Sequence, residues 1–444
     1  MRRPRSPQPF RELLRKLSQS PERLEKILVE SRSIERPPDY PHWDRLRHLT
    51  PPSGLTHEEW WFFVRFQRES QLKLLPLRTV DGGFARYSIP DRAWKHVHDL
   101  DFRAGGSVEL PEPIANPDTR DRYIASSVIE EAIRSSQLEG ATTTRAIAKE
   151  MILSRREPRS KDERMILNNH HAMQFIREIR GQAVTVDLLL ELHRILTTGT
   201  LDNRAHEGRF RGSEERIQIF DDEDQIVHVP PPAGELEKRV AALCRFANAS
   251  DAEPFIPPLI RAIILHFWLA YDHPFVDGNG RTARALFYWC ALRSGYWLLE
   301  FVSISSVLKK APAQYGRAFL LTETDENDVT YFILHQLDVL ASAVEALHAY
   351  VRRQSLEIRD VEQAVRGSGV LNHRQRALIG HALRHGHARY TIEGHQLSHG
   401  IVYQTARNDL RQLATLGLLR QSKIGRKHYF LPASDLERRL KTLR

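Results

Sequence analysis

The 444-residue chain is expected to be mainly α-helical and built in parts. These are a basic helical N-terminal segment and linker (1–40), a small α+β module (41–112), a helical core with one β-hairpin (115–350), and a module of three helices and a strand–turn–strand (371–444). Three observations predict this. Apolar residues recur mostly at helical spacing, and no repeat of 20–50 residues stands out. The most apolar run, Pro257 to Asp272, is long enough for a helix and too long for one strand. Charge is uneven: Leu371 to Arg444 holds 14 Lys and Arg against 4 Asp and Glu, a balance of +10, while the whole chain carries +9. Everything before residue 371 is therefore close to neutral.

The elements follow in order. Phe10 to Ser31 reads as one helix, followed by a linker at Pro37-Pro38. Trp43 to about Glu112 mixes Trp60, Trp61 and Trp94 with a strand-like Phe84 to Ile89. Tyr123 to Gly140 has helical spacing, with Ile124, Val128, Ala132 and Ser135 or Ser136 along one side. Ile217 to Phe220 and Gln225 to Val229 are β-rich runs around the polar turn Asp221 to Asp224, which predicts a hairpin within 216–230. Pro230-Pro231-Pro232 stops it. Pro257 and Pro258 suit a helix start, and His273-Pro274 ends that helix because the residue before proline leaves the helical region. Arg281 onward reads as a further helix. Gly367-Ser368-Gly369 breaks the pattern in a linker near 366–372.

Composition excludes several classes. Two cysteines, Cys244 and Cys290, both in apolar helical surroundings, argue against a disulfide scaffold and a zinc site. The apolar stretch around Ile263 to Tyr271 is far short of a membrane span. Arg2, Arg3 and Arg5 have no apolar run behind them, so no secretory signal is expected. The expectation is a cytoplasmic chain with no membrane contact.

One string concentrates the chemistry: His273-Pro-Phe-Val-Asp-Gly-Asn-Gly-Arg-Thr-Ala-Arg284. Gly278-Asn279-Gly280 permits a backbone concavity of N–H groups, placed where the helix macrodipole favours phosphate. Arg281 and Arg284, three apart, share a helical face. Asp277 beside a polyphosphate is the hard oxygen ligand that Mg²⁺ prefers. His273 can accept a proton from a hydroxyl near neutral pH. Each feature alone has an ordinary structural explanation; their conjunction does not. Gly278-x-Gly280-x-x-Ala283, with Glu300 twenty residues beyond Gly280, also fits a dinucleotide fingerprint. That fingerprint needs a short strand before Gly278, and a long helical stretch stands there instead.

The string resembles the signature of the Fic family (Fic/Doc-type AMP transferases), with no departure at a signature position. Ser135-Ser136-Gln137-Leu138-Glu139-Gly140 resembles that family's inhibitory motif, here N-terminal to the signature, in a helix at 123–140. The resemblance implies a Fic-type core in which 216–230 is a flap that adds a target peptide as an extra strand. It implies a protein adenylyltransferase that moves AMP from Mg²⁺–ATP to a Ser, Thr or Tyr hydroxyl of a target protein. His273 would be the base, Asp277 the magnesium ligand, and Gly278, Asn279, Gly280, Arg281 and Arg284 the ATP-binding residues. Glu139, beside Ser135, would pair with Arg284 and hold ATP unproductively. Two alternatives stand beside this reading: removal of AMP with Glu139 positioning water, or a DNA-binding regulator whose Fic-like core senses nucleotide. Gln314-Tyr315 and Asp328 to Phe332 echo family positions near the base, where aromatic rings could stack on adenine or belong to the core.

Residues 371–444 resemble a winged helix-turn-helix. Its elements are helices Arg374–His385, Glu393–Ser398 and Gly400 to Leu416, then a strand–turn–strand with a basic tip at Gly425-Arg426-Lys427. Tyr403, Gln404, Arg407 and Arg411 could read a major groove of double-stranded DNA while the wing grips phosphates. Such modules also serve docking and dimerisation, and a homodimer is one expectation. The role of 41–112 stays open between dimerisation and target docking.

Overall fold

A computed structural model describes residues 2–30, 39–105, 117–221, 223–249, 254–367, 370–384, 388–424 and 427–441. The linker expected at Pro37-Pro38 and the tip residues Gly425 and Arg426 lie outside them. The chain forms two compact units, residues 1–108 with 126–345, and residues 109–125 with 346–444.

The first unit opens with α1 (Phe10–Ser18) and α2 (Pro21–Glu30). The single helix expected from Phe10 to Ser31 is thus two. Pro21 cannot donate an N–H, so it starts a helix rather than continuing one. Leu13 and Ile27 of these helices are buried with Trp60, Trp61, Phe62 and Phe63. Those aromatics stand on α4 (His57–Glu69), which follows the short α3 (Trp43–Leu46). Thr56 and Glu59 form a reciprocal cap at the start of α4. The strands β1 (Lys73–Arg78) and β2 (Phe84–Tyr87) pair antiparallel, and α5 (Asp91–Leu100) follows.

Next come α6 (Pro117–Leu138), α7 (Arg145–Ser154), α8 (Lys161–Glu178) and α9 (Val186–Thr197). Thr144, Ser160 and Thr185 cap the last three with side-chain oxygens. A small antiparallel hairpin stands where the two β-rich runs predict it, with β3 (Ile219–Phe220) and β4 (Ile226–His228) shorter than those runs. Then follow α10 (Leu236–Asn248), α11 (Pro258–Asp272) and α12 (Asn279–Arg293). Thirteen α11 residues are buried, from Leu259 to Asp272, which is why its sequence is apolar all round. The unit closes with α13 (Ile304–Leu308), α14 (Pro312–Thr324) and the start of α15 (Thr330–Gly367).

The second unit contains α16 (His373–Arg384), α17 (Ile392–His399), α18 (Tyr403–Thr415), the antiparallel pair β5 (Leu419–Ile424) and β6 (Lys427–Pro432), and α19 (Leu436–Lys441). Leu378, Ile379, Leu410, Leu413, Leu419 and Phe430 share its core. Buried Asp409 on α18 accepts from Asn372 Nδ2 (2.7 Å) and Arg374 Nε (2.7 Å), with His395 Nε2 at 3.2 Å. These bonds tie α16 and α17 to α18.

Candidate active site

The signature residues connect α11 to α12. His273 ends α11 in the left-handed region (φ 45°, ψ 57°), so the chain turns sharply while the imidazole stays at the helix end. Its Nδ1 lies 3.3 Å from the Ala270 carbonyl, which assigns the proton to Nδ1 and leaves Nε2 as an acceptor. Burial pushes its pKa down to about 4, although the residue as a whole is only half-buried. At neutral pH it is therefore an uncharged base.

The turn is braced from several sides. Asn279 Oδ1 accepts from Phe275 N at 2.9 Å, and Asn279 Nδ2 donates to Phe275 O at 2.8 Å. Asn279 thus closes the loop with its side chain, beyond the backbone role that the sequence suggested. Phe275 is fully buried and stacks on His193 of α9, with centroids 3.7 Å apart. Arg211, also buried, donates from Nε to His273 O (2.8 Å) and from Nη2 to Pro231 O (2.5 Å), and its N–H reaches Pro274 O (2.9 Å). One guanidinium thereby joins the turn to the residues after the hairpin. His228 of β4 adds a further tie through Tyr271 O (2.8 Å) and Glu323 (2.8 Å). Burial opposes charge on His228, but Glu323 and the Tyr271 carbonyl outweigh it and raise its pKa.

Gly278 caps α12 with φ 84°, a backbone that disfavours any side chain. A Cβ there would also lie 2.9 Å from Thr197 Cγ2. Its N–H donates to Asp277 Oδ1 at 2.5 Å. The Asp277 side chain is 54% exposed, and Arg281 Nη2 lies 3.3 Å from its other oxygen. Arg281 itself is buried, with Nη1 on Leu196 O (3.2 Å) and Nε without a partner. Among the described residues no cluster of three or more His, Cys, Asp or Glu could cage a metal. A single exposed carboxylate at the rim suits magnesium that arrives with phosphates and water, rather than an ion held by protein alone.

Arg284 is buried and fully committed. Its Nε donates to Ser135 Oγ (2.9 Å), and its Nη2 to Ser135 O (3.0 Å) and Glu139 Oε1 (2.8 Å). The Glu139 carboxylate lies directly over Gly280, where an added Cβ would collide with Oε1. A carboxylate thus occupies the space above the first turn of α12, where an anion is favoured. Behind it, the α6 helix is anchored by buried Glu131. That carboxylate accepts from Ser305 Oγ (2.5 Å), Ser303 Oγ (2.7 Å) and Tyr288 OH (3.1 Å). The structure therefore brings together His273, Asp277, Gly278, Asn279, Gly280, Arg281, Arg284, Ser135 and Glu139. Arg281 and Arg284 are three apart yet serve different partners, α9 and α6 respectively. Tyr331 is a core residue whose OH bonds Asp325 (2.8 Å), whereas half-buried Tyr315 bonds His266 Nε2 (2.7 Å) and lies beside Arg284.

Residues 183–291 match the model of the Fic/DOC family. The chain carries a Fic/DOC-family domain. Among its relatives, "Protein adenylyltransferase Fic" of Nematostella vectensis is 28% identical over 184 residues, covering 39% of this chain and 40% of that protein. The protein of the same name from Drosophila ananassae is 33% identical over 164 residues, 36% of this chain and 31% of that one. The chain thus spans well under half the length of these curated relatives. A Fic family protein of solved structure from Desulfovibrio desulfuricans shares the fold, with a TM-score of 0.51 at 21% identity over 76% of this chain and 94% of that one. The family match runs from α9 through the hairpin to α12, so it includes the Fic signature but ends short of Ser135 and Glu139. Among the described residues no helix is long and apolar enough to cross a membrane.

Proposed function

We propose that this Fic protein is a protein adenylyltransferase held in check by Glu139. One observation carries the proposal: the Glu139 carboxylate pairs with buried Arg284 and covers Gly280, a few residues along the loop from a neutral histidine. In the proposed reaction, Nε2 of His273 takes the proton from a Ser, Thr or Tyr hydroxyl of the target. The hydroxyl oxygen bonds to the α-phosphorus of ATP, the bond from that phosphorus to the bridging oxygen breaks, and pyrophosphate leaves. The N–H groups of Gly278, Asn279 and Gly280 receive charge that develops on phosphate oxygens. Asp277 would hold magnesium, which would supply positive charge against that of the triphosphate. Arg281 serves the β-phosphate, and Arg284 the γ-phosphate once Glu139 has left. Phe220, Ile226 and Val229 are exposed on the hairpin and offer a target segment apolar contact beside strand pairing.

The relatives' name, adenylyltransferase, favours transfer over removal of AMP. Incubation of the Glu139→Gly protein and candidate targets with Mg²⁺ and either α- or γ-labelled ATP tests this. Label from α-labelled ATP alone, with a mass increase of one AMP on the target, is the expected outcome. Label from γ-labelled ATP, or from neither, sinks the proposal.

For the second unit we propose a winged helix-turn-helix that binds double-stranded DNA. The exposed face of α18 carries Tyr403, Gln404, Asn408 and Arg411, with Arg407 half-buried beside them, on a module of net charge +10. Gel-shift titrations at several salt concentrations test it: affinity falling steeply with salt supports the reading, and no shift at low salt removes it.

A further inference from the structure

The geometry points to His193 as the residue that sets the Asp277–Gly278 peptide and so holds the Asp277 carboxylate, which accepts the Gly278 N–H, in place for a metal-bound triphosphate. It is a positioning residue on α9, outside the signature, and the inference rests on the adenylyltransferase reading above. His193 has no solvent exposure, and both of its ring nitrogens are used. Nδ1 lies 3.1 Å from the Gly208 N–H and must accept it, so the proton sits on Nε2. Nε2–H then donates to the Asp277 carbonyl at 2.8 Å. The ring lies flat on Phe275, with 5° between planes, and Nε2 would be 3.3 Å from a Cβ at Gly278.

The consequence follows from peptide geometry. The Asp277 carbonyl and the Gly278 N–H belong to one planar trans peptide and point in opposite directions. Pinning the carbonyl inward on His193 therefore turns the Gly278 N–H outward, toward the Asp277 carboxylate that now accepts it. Among the described residues no other side chain holds this peptide's carbonyl: Asn279 closes the loop on Phe275, Arg211 holds the carbonyl of His273, and Arg281 Nη2 meets Asp277 only at its carboxylate (3.3 Å). Without the imidazole this peptide could flip, since Gly278 tolerates either sign of φ. The Asp277 carboxylate would move with it.

The test uses the full chain carrying Glu139→Gly, with binding of a fluorescent ATP analogue titrated against Mg²⁺ and the melting temperature measured in parallel. His193→Phe keeps the stack on Phe275 and removes both hydrogen bonds. His193→Gln keeps a donor that reaches the Asp277 carbonyl. His193→Asn keeps an acceptor for Gly208 and loses that donor. The Phe and Asn variants are expected to weaken Mg²⁺-dependent binding about tenfold, as loss of outer-shell support does, while Gln restores most of it. Unchanged Mg²⁺-dependent binding in Phe and Asn, or equal loss in Gln and Asn, overturns the inference, even if all three melt lower. If Phe does not fold, the Gln–Asn pair decides alone. A parent protein that binds no Mg²⁺–ATP overturns the adenylyltransferase reading first, and this inference with it.

Discussion

The loop from His273 to Gly280 and the carboxylate that lies over it are held in opposite ways. The loop is fixed by buried, directional bonds from Asn279, Arg211 and His193, none of which the solvent reaches easily. Glu139 is held through its ion pair to Arg284, with 28% of its side chain exposed, at the end of a helix that stops one residue earlier. On the proposed reading, the loop geometry is built in, while the inhibitory contact rests on one part-exposed carboxylate. Ser135 also binds Arg284: its hydroxyl and carbonyl both accept from the same guanidinium.

Substitutions that separate the two regions sharpen this contrast. The largest effect is expected from His273→Ala, which should lower AMP transfer at least 10²–10⁴-fold, the range of a positioned general base. Its melting temperature should stay close to that of wild type; a large drop would make the lost activity a folding effect. Glu139→Gly should act oppositely and raise transfer by about 10–100-fold, the equivalent of losing one charge-assisted bond to Arg284. An unchanged rate would remove the inhibitory role.

Asn279→Ala probes the fixed region. It strands the N–H and carbonyl of buried Phe275 and should cost about 2–4 kcal/mol in a denaturant titration. Full stability with activity retained would show that the loop does not depend on this brace.

The pH profile gives the smallest effect. His273 faces His228, Arg211 and Glu139, and burial holds its pKa near 4. It therefore stays competent as a base well below pH 6.5, so the acid limb of kcat/KM should lie closer to pH 4–5 than to 6.5. For stability, a lowered histidine pKa contributes fully above the unfolded value and is lost as pH falls from 6.5 toward 4. His228, with its raised pKa, contributes in the opposite window. Its share is present below 6.5 and lost as pH rises through its folded value. An acid limb at 6.5 or above would contradict the buried, neutral His273.

Much of this was legible in the chain because it is local. The helix after Pro257, its end at His273-Pro274, the left-handed Gly278 and the α12 start at Asn279 are all written within 23 consecutive residues. The Ser135–Glu139 spacing also predicts the meeting with Arg284, 145 residues away, because both ends carry a family motif. His193 was not legible: its partner Asp277 is 84 residues off, and a lone histidine on an amphipathic helix gives no signal. The Arg211 clamp was not legible either, since its partners His273 and Pro231 lie 62 and 20 residues away. The break between α1 and α2 is a different kind of miss. Ser20-Pro21 marks a helix start, and the apolar periodicity on either side concealed it.

The most direct test is the initial rate of AMP incorporation from α-labelled ATP, compared among wild type, Glu139→Gly and the double variant Glu139→Gly/His273→Ala. The account predicts a slow wild type, a fast Glu139→Gly and no incorporation in the double variant. Equal rates in the first two, or persistent incorporation in the third, would contradict it.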